Sequence, residues 1–197
     1  MVDSDIRDGA AGAHRRSGPL FDLIAAKLHR PPVRPGAIRR SSLIERLAQE
    51  TSGPIVSVVA PAGYGKTTLL AQWAERNGQA FAWVSVDEHD NDPKVLLSYV
   101  AAALDAVQPV GERVFDALAS PASSVPGSVV PRLGSAFSSM TVPVVLVLDD
   151  VHLLRNSECR ADLHNPALGA KPRDPHRRLI PPGEHQATTG RHMIGQH

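Results

Sequence analysis

A single cysteine, Cys159, stands among 197 residues. No intramolecular disulfide framework and no multi-cysteine zinc site is therefore available. The opening stretch, MVDSDIRDGAAGAHRR, has no apolar core of the kind a secretory signal needs. The apolar run from Val142 to Leu148, interrupted by Pro143, is far too short for a membrane span. A marked excess of either charge is missing as well. Lys+Arg number 21 against 20 Asp+Glu, a net charge of +1, which argues against a dedicated polyanion binder but not against a local anion site. The expectation is a cytoplasmic protein without membrane association. The length suits one domain, or one domain with tails.

What charge there is lies unevenly. Residues 1–50 carry nine basic and six acidic side chains, residues 51–160 seven and eleven, and residues 161–197 five and three. The acidic middle also holds the apolar pattern. Residues 1–22 are small, charged and without period, and read as a disordered leader. Leu28 to Gly36 contains three prolines, which exclude a helix and leave an extended strap. Ser41 or Ser42 caps a short helix to about Gln49, with Leu43, Ile44 and Leu47 on one face.

The β-branched run Pro54–Ala60 predicts a buried strand, and Thr67–Asn77 a helix ended by Gly78. Ala80–Val86 predicts a second strand. Pro93 opens a helix to about Val107, and helices follow near 110–119 and 126–140, with Pro121 and Pro126 as breaks. Val142–Asp150 is a third buried strand. Strands alternating with helices call for a parallel α/β sheet, and the lack of in/out alternation calls for cover on both faces. The body is placed at 23–162. The tail, 163–197, has no Phe, Trp, Tyr or Val, but five of the nine histidines (His164, His176, His185, His192, His197) and five prolines. It reads as disordered.

Two constellations carry chemistry. The first is Ala60-Pro61-Ala62-Gly63-Tyr64-Gly65-Lys66-Thr67, a match to the phosphate-loop pattern except that Ala60 replaces the first glycine. Backbone N–H groups of such a loop curl around phosphate, which requires the dihedral freedom of Gly63 and Gly65 on either side of Tyr64. Lys66 would bring a cation to the β- and γ-phosphates, and the Thr67 hydroxyl would ligate Mg²⁺. The helix behind them points its positive end at the anion.

The second is Val144–Asp150, a strand that delivers Asp149 toward the Mg²⁺ shell and Asp150 to orient and deprotonate water. Arg39-Arg40 either touches the nucleotide or is surface charge. Asp87, Glu88, Asp90 and Asp92 lack EF-hand spacing and read as a solvated loop. The tail histidines lack a fold to make them ligands. Trp73 and Trp83 read as core.

These blocks, taken in order, resemble a known family. Leu28-His29-Arg30-Pro31-Pro32, Arg39-Arg40-Ser41-Ser42-Leu43, APAGYGKTTLLAQW, FAWVSVDEHDNDP and VLVLDDVHLL look like the start of the large LuxR-type ATP-dependent transcriptional regulators of the maltose-regulon-activator-like group. These belong to the STAND class of P-loop ATPases. The resemblance covers about residues 23–161. It implies a P-loop NTPase-type sheet with flanking helices, ATP or ADP with Mg²⁺ as cofactors, and nucleotide as the partner. Gly63, Gly65, Lys66, Thr67 and Thr68 match phosphate-binding positions, and Asp149 and Asp150 match the Mg²⁺ and catalytic acids. Arg40 lies in the strap before the nucleotide pocket.

Family members continue into another strand, a sensor arginine and a helix-turn-helix. After Arg160-Ala161 this chain changes character, as a truncated or frameshifted reading would. The implied sheet is incomplete at its C-terminal end. In ATPases that resemble this one, a later strand separates the phosphate-loop strand from the Mg²⁺-acid strand. Without it, the two either keep unpaired backbone groups or pair directly. Specific DNA binding is not expected, turnover is at most weak, and self-association is left open. A freestanding small P-loop enzyme such as a kinase, or a gene remnant without activity, are the alternatives.

Overall fold

The computed structural model describes residues 21–50, 56–165 and 168. The leader and the tail expected from the sequence fall for the most part outside them. Of their inner ends, Phe21 stacks edge-on against Tyr99 with ring centroids 6.0 Å apart, and Leu163 and Leu168 pack on the core.

Five helices stand close to where the sequence puts them, and a sixth, Ser157–Leu163, is one the sequence did not lead us to expect. They are α1 (Ser41–Glu50), α2 (Lys66–Arg76), α3 (Pro93–Asp105), α4 (Glu112–Ala119), α5 (Val130–Ser138) and α6 (Ser157–Leu163). The start of α3 shows why. Pro93 needs no hydrogen-bond partner in a first turn, and the Asp92 carboxylate accepts from the N–H groups of Lys94 and Val95, the usual side-chain cap.

The break expected between the two helices falls over residues 120–124, and Pro126 stands at the start of the helical stretch after it. It lies in a π-type turn, Val125–Val129, that runs directly into α5, capped by the Ser124 hydroxyl accepting from Gly127 N. A proline lacks only a donor that a first turn leaves unpaired.

Two parallel strands make up the sheet among the described residues: β1 (Ala80–Ser85) and β2 (Val144–Asp149), paired from Ala80 opposite Val144 to Ser85 opposite Asp149. The connection between them is α3, α4 and α5, as a parallel pair requires. Alternate residues of the strands face two apolar bodies. Ala82 and Val84, with Val144, Leu146 and Leu148, join a large core built on α3, α4 and α5 that includes Leu96, Leu97, Val100, Leu104, Leu118 and Leu133. Phe81 and Val145 face a smaller cluster of Ile44, Leu47, Leu69 and Trp73 from α1 and α2. Burying each such large side chain contributes about 1.5–3 kcal/mol. The two-sided cover expected from the strand pattern is present.

The strand expected over Pro54–Ala60 is a correction. Residues 54 and 55 lie outside the described residues, and 56–60 belong to no ladder. Val56 and Val58 pack on the smaller cluster instead. β2 takes β1 as its neighbour, and no described strand stands between β2 and the 56–60 segment. The smaller cluster has one further loose end: the Trp73 Nε1–H is buried and finds no acceptor among the described residues.

The acidic stretch is a second correction. Asp87–Asp92 is only in part the solvated loop expected: Glu88, His89 and Asp92 are exposed, but Asp90 is buried. The stretch forms a 3₁₀ turn over Glu88–Asp90 in which Asp87 and Asp90 cap one another's backbone, and Asp90 is 1% exposed. A buried carboxylate must be paired, and the partner is Lys27, on the 3₁₀ turn Ala25–Leu28.

Candidate functional site

The segment after residue 56 turns through Ala62–Tyr64 into α2, and both glycines of the turn have positive φ, Gly63 at 80° and Gly65 at 73°. Side chains with a Cβ resist that region. Gly65 immediately precedes α2, and no side chain caps that helix end. Its first-turn N–H groups, including those of Lys66, Thr67 and Thr68, therefore point out of the helix toward whatever anion lies before it. A Cβ at Gly63 would meet nothing within 4 Å, so the loop is open on that side. The Tyr64 ring is half exposed.

Lys66 folds back over the loop, its Nζ donating to the Ala60 carbonyl at 3.0 Å and the Pro61 carbonyl at 3.3 Å. These are neutral acceptors on a half-exposed side chain, and a phosphate would compete for the same ammonium with charge-assisted bonds. Across the gap, β2 ends in Asp149, which is 4% exposed. Burial raises its pKa above the ordinary 3.8. The nearby Thr67 hydroxyl, the Asp150 backbone N–H and the Lys66 ammonium oppose the rise, while the Asp150 charge adds to it. A divalent cation would relieve that desolvated carboxylate. Among the described residues no three His, Cys, Asp or Glu side chains gather as a metal cage. Thr67 and Asp149 set a hydroxyl and a carboxylate side by side, oxygen donors of the kind Mg²⁺ takes one or two at a time from protein.

Asp150 follows in a left-handed conformation, φ 59° and ψ 29°, the one non-glycine residue with positive φ among those described. Its backbone N–H donates to Asp149 Oδ1 at 3.1 Å, and its carboxylate lies 3.6 Å from His152 Nδ1 on the open side. Such strain concentrates at functional positions.

Of the two arginines of the strap, Arg40 is the one beside the glycine turn. Its guanidinium lies over the loop, with Nη2 3.7 Å from where a Gly65 Cβ would stand. Gln72 of α2, which the sequence reading did not single out, holds it there. The buried amide donates from Nε2 to the Ile38 carbonyl at 3.0 Å and accepts from Arg40 N at 3.3 Å. Arg30 fixes the strap further along α2, through the Ala71 carbonyl and Glu75. The signal that points to Gln72 is its place between Leu69 and Trp73 on the apolar face of α2, where an amide needs partners.

The site is therefore a glycine loop, a bare helix end, a lysine held only by two loop carbonyls, a hydroxyl beside a buried carboxylate, and an arginine on a pinned strap. All of it stands at the carboxyl end of a parallel strand in an α/β chain, where such folds bind ligands.

No family model matches the chain. It is 36% identical over 135 residues to the HTH-type transcriptional regulator MalT of Serratia proteamaculans, covering 68% of this chain and 15% of that protein. It is 33% identical over 141 residues to the MalT regulators of Klebsiella pneumoniae and Cronobacter sakazakii, with the same shares covered. The chain is thus related in sequence to transcriptional regulators, and spans about 15% of the length of the curated relatives it matches. No helix among the described residues is long and apolar enough to cross a membrane.

Proposed function

We propose that this chain is the nucleotide-binding part of a LuxR-type transcriptional regulator of the STAND class, taking ATP or ADP with Mg²⁺. The observation that carries the reading is the convergence of Lys66, Thr67 and Asp149 at one helix end beneath Arg40. The relationship to MalT regulators supports it, and no feature favours a freestanding kinase.

In this reading the N–H groups around Gly63, Tyr64 and Gly65 hold the phosphates, with Thr68 in the same first turn. Lys66 leaves the Ala60 and Pro61 carbonyls to face the β- and γ-phosphates. Thr67 and Asp149 hold Mg²⁺, which supplies charge neutralisation at the phosphates. Asp150 orients water and accepts its proton, and Arg40 closes the pocket from the strap. The nucleotide is the partner. Sequence-specific DNA binding by these residues and membrane association are not part of the proposal, and turnover is weak at most.

The test is calorimetric titration of the full chain with Mg²⁺·ATP and Mg²⁺·ADP. Lys66→Ala removes a charge-assisted contact worth about 1.5–3 kcal/mol, so affinity falls by roughly one to two orders of magnitude. Equal affinity in the two proteins would overturn the reading.

A further inference from the structure

The turn at residues 87–92 is more heavily built than a surface connection needs, and it holds two different segments at once. On one side it grips the strap. Lys27, 7% exposed, donates to both Asp90 oxygens at 2.6 Å, lies 3.1 Å from Asp87 Oδ2, and sits 4.4 Å above the Tyr99 ring. Burial alone would lower the Lys27 pKa, but the bonds to Asp90 and Asp87 outweigh it and hold it above 10.5. On the other side the turn grips the chain that leaves Asp150. Asn91 Nδ2 donates to the Leu153 carbonyl at 3.2 Å, and Asn91 Oδ1 accepts from the backbone N–H groups of Arg155 and Asn156. The Asn156 side chain returns a bond to the Asn91 carbonyl at 3.0 Å.

We propose that this turn is a bracket that couples the strap to the exit of β2, and that Lys27 and Asn91 are positioning residues for the nucleotide site. The proposal rests on the nucleotide reading above. Lys27 fixes one end of the strap whose other end places Arg40 over Gly65. Asn91 fixes the segment 153–156 and, through the 3₁₀ turn Val151–Leu153, the backbone that holds Asp150 in its left-handed conformation. Asp90 and Asn91 are adjacent, so a shift of either arm moves the other. The strap, and with it Arg40, then responds to what happens at Asp149 and Asp150.

The experiment uses the full chain and three variants. Lys27→Met alone leaves Asp90 buried and unpaired, which is destabilising in itself. The informative form is Lys27→Met/Asp90→Asn, which neutralises both partners, keeps an acceptor for Asp87 N and seats a thioether over Tyr99. Its melting temperature returns toward that of the wild type. Even so, amide exchange at Arg155 and Asn156 quickens, and Mg²⁺·ATP affinity falls roughly fivefold to tenfold, the lower range of coupling between sites. Asn91→Ala, a change at a half-exposed position, tests the reverse direction: tryptic cleavage after Lys27 accelerates by a similar factor.

Recovery of melting temperature, exchange and affinity together in the double variant would reduce the cluster to a structural ion pair and overturn the bracket. So would an unchanged cleavage rate at Lys27 in Asn91→Ala. If the wild type binds no Mg²⁺·ATP, the nucleotide reading fails instead, and the exchange and cleavage arms alone decide whether the bracket couples its two ends.

Discussion

Gln72→Leu isolates the strap from the rest of the fold. The side chain is 5% exposed and makes two hydrogen bonds, at 3.0 and 3.3 Å, to the backbone of Ile38 and Arg40. A net contribution of about 1 ± 0.5 kcal/mol per bond, with the longer bond at the low end, gives roughly 1–2 kcal/mol. Leucine fills similar space and returns part of this through apolar burial. The freed groups sit on a strap whose Ile38 is 81% exposed, so water can satisfy them once the strap lifts. Global stability should therefore fall by only about 1 kcal/mol, or some 2–4 °C in melting temperature for a chain of this size.

Local release of the strap, by contrast, feels both bonds in full, roughly a tenfold change in opening. Trypsin reads this directly at Arg39 and Arg40, with fragments assigned by mass. The expected result is cleavage there about tenfold faster at a nearly unchanged melting temperature. Unchanged cleavage, or a stability loss of about 3 kcal/mol or more with no strap-specific cutting, would show that Gln72 serves core packing and does not pin Arg40.

Asp149, its pKa raised by burial, makes a signed prediction without ligand. The folded state binds its proton more tightly than the unfolded one. Its contribution is thus fully present below the ordinary value near 3.8 and is lost as pH rises through the raised folded value. Asp149→Asn removes this loss, and urea midpoints between pH 4.5 and 8 should fall less steeply with pH than in the wild type. A parallel slope in both proteins would refute it. Asp150→Gly relieves the left-handed conformation, and a gain of roughly 0.5–1 kcal/mol in thermal unfolding is expected, since glycine adopts it freely. A loss of stability would mean that the Asp150 side chain holds the turn, and that backbone strain is not its main effect.

The local chemistry was legible where single residues decide it. Gly63 and Gly65 demanded positive φ, Pro93 after Asp92 opened a helix, and the runs at Ala80 and Val144 became strands. Thr67 and Asp149 were named from motif spacing, and the fold brings them side by side. What escaped depends on partners far along the chain. An acidic run such as Asp87–Asp92 looks solvated until a lysine 63 positions from Asp90 enters the same buried space. The segment after Pro54 has strand propensity, but a strand also needs a neighbour, and propensity carries no record of whether one exists.

The pairing of β2 has a consequence for how copies of this chain meet. One side of Val144–Asp149 is bonded to β1, and along the other the described residues place no strand. The run up to Leu148 has no lysine, no proline and no bulge, the usual devices that keep such an edge from recruiting a neighbour. Its single charge, Asp149, is turned into the fold and offers no repulsion between molecules. Among the described residues each strand therefore keeps one edge without a ladder partner, β1 along Ala80–Ser85 as well as β2 along Val144–Asp149, and whatever covers those edges bears on whether copies of the chain can pair through them.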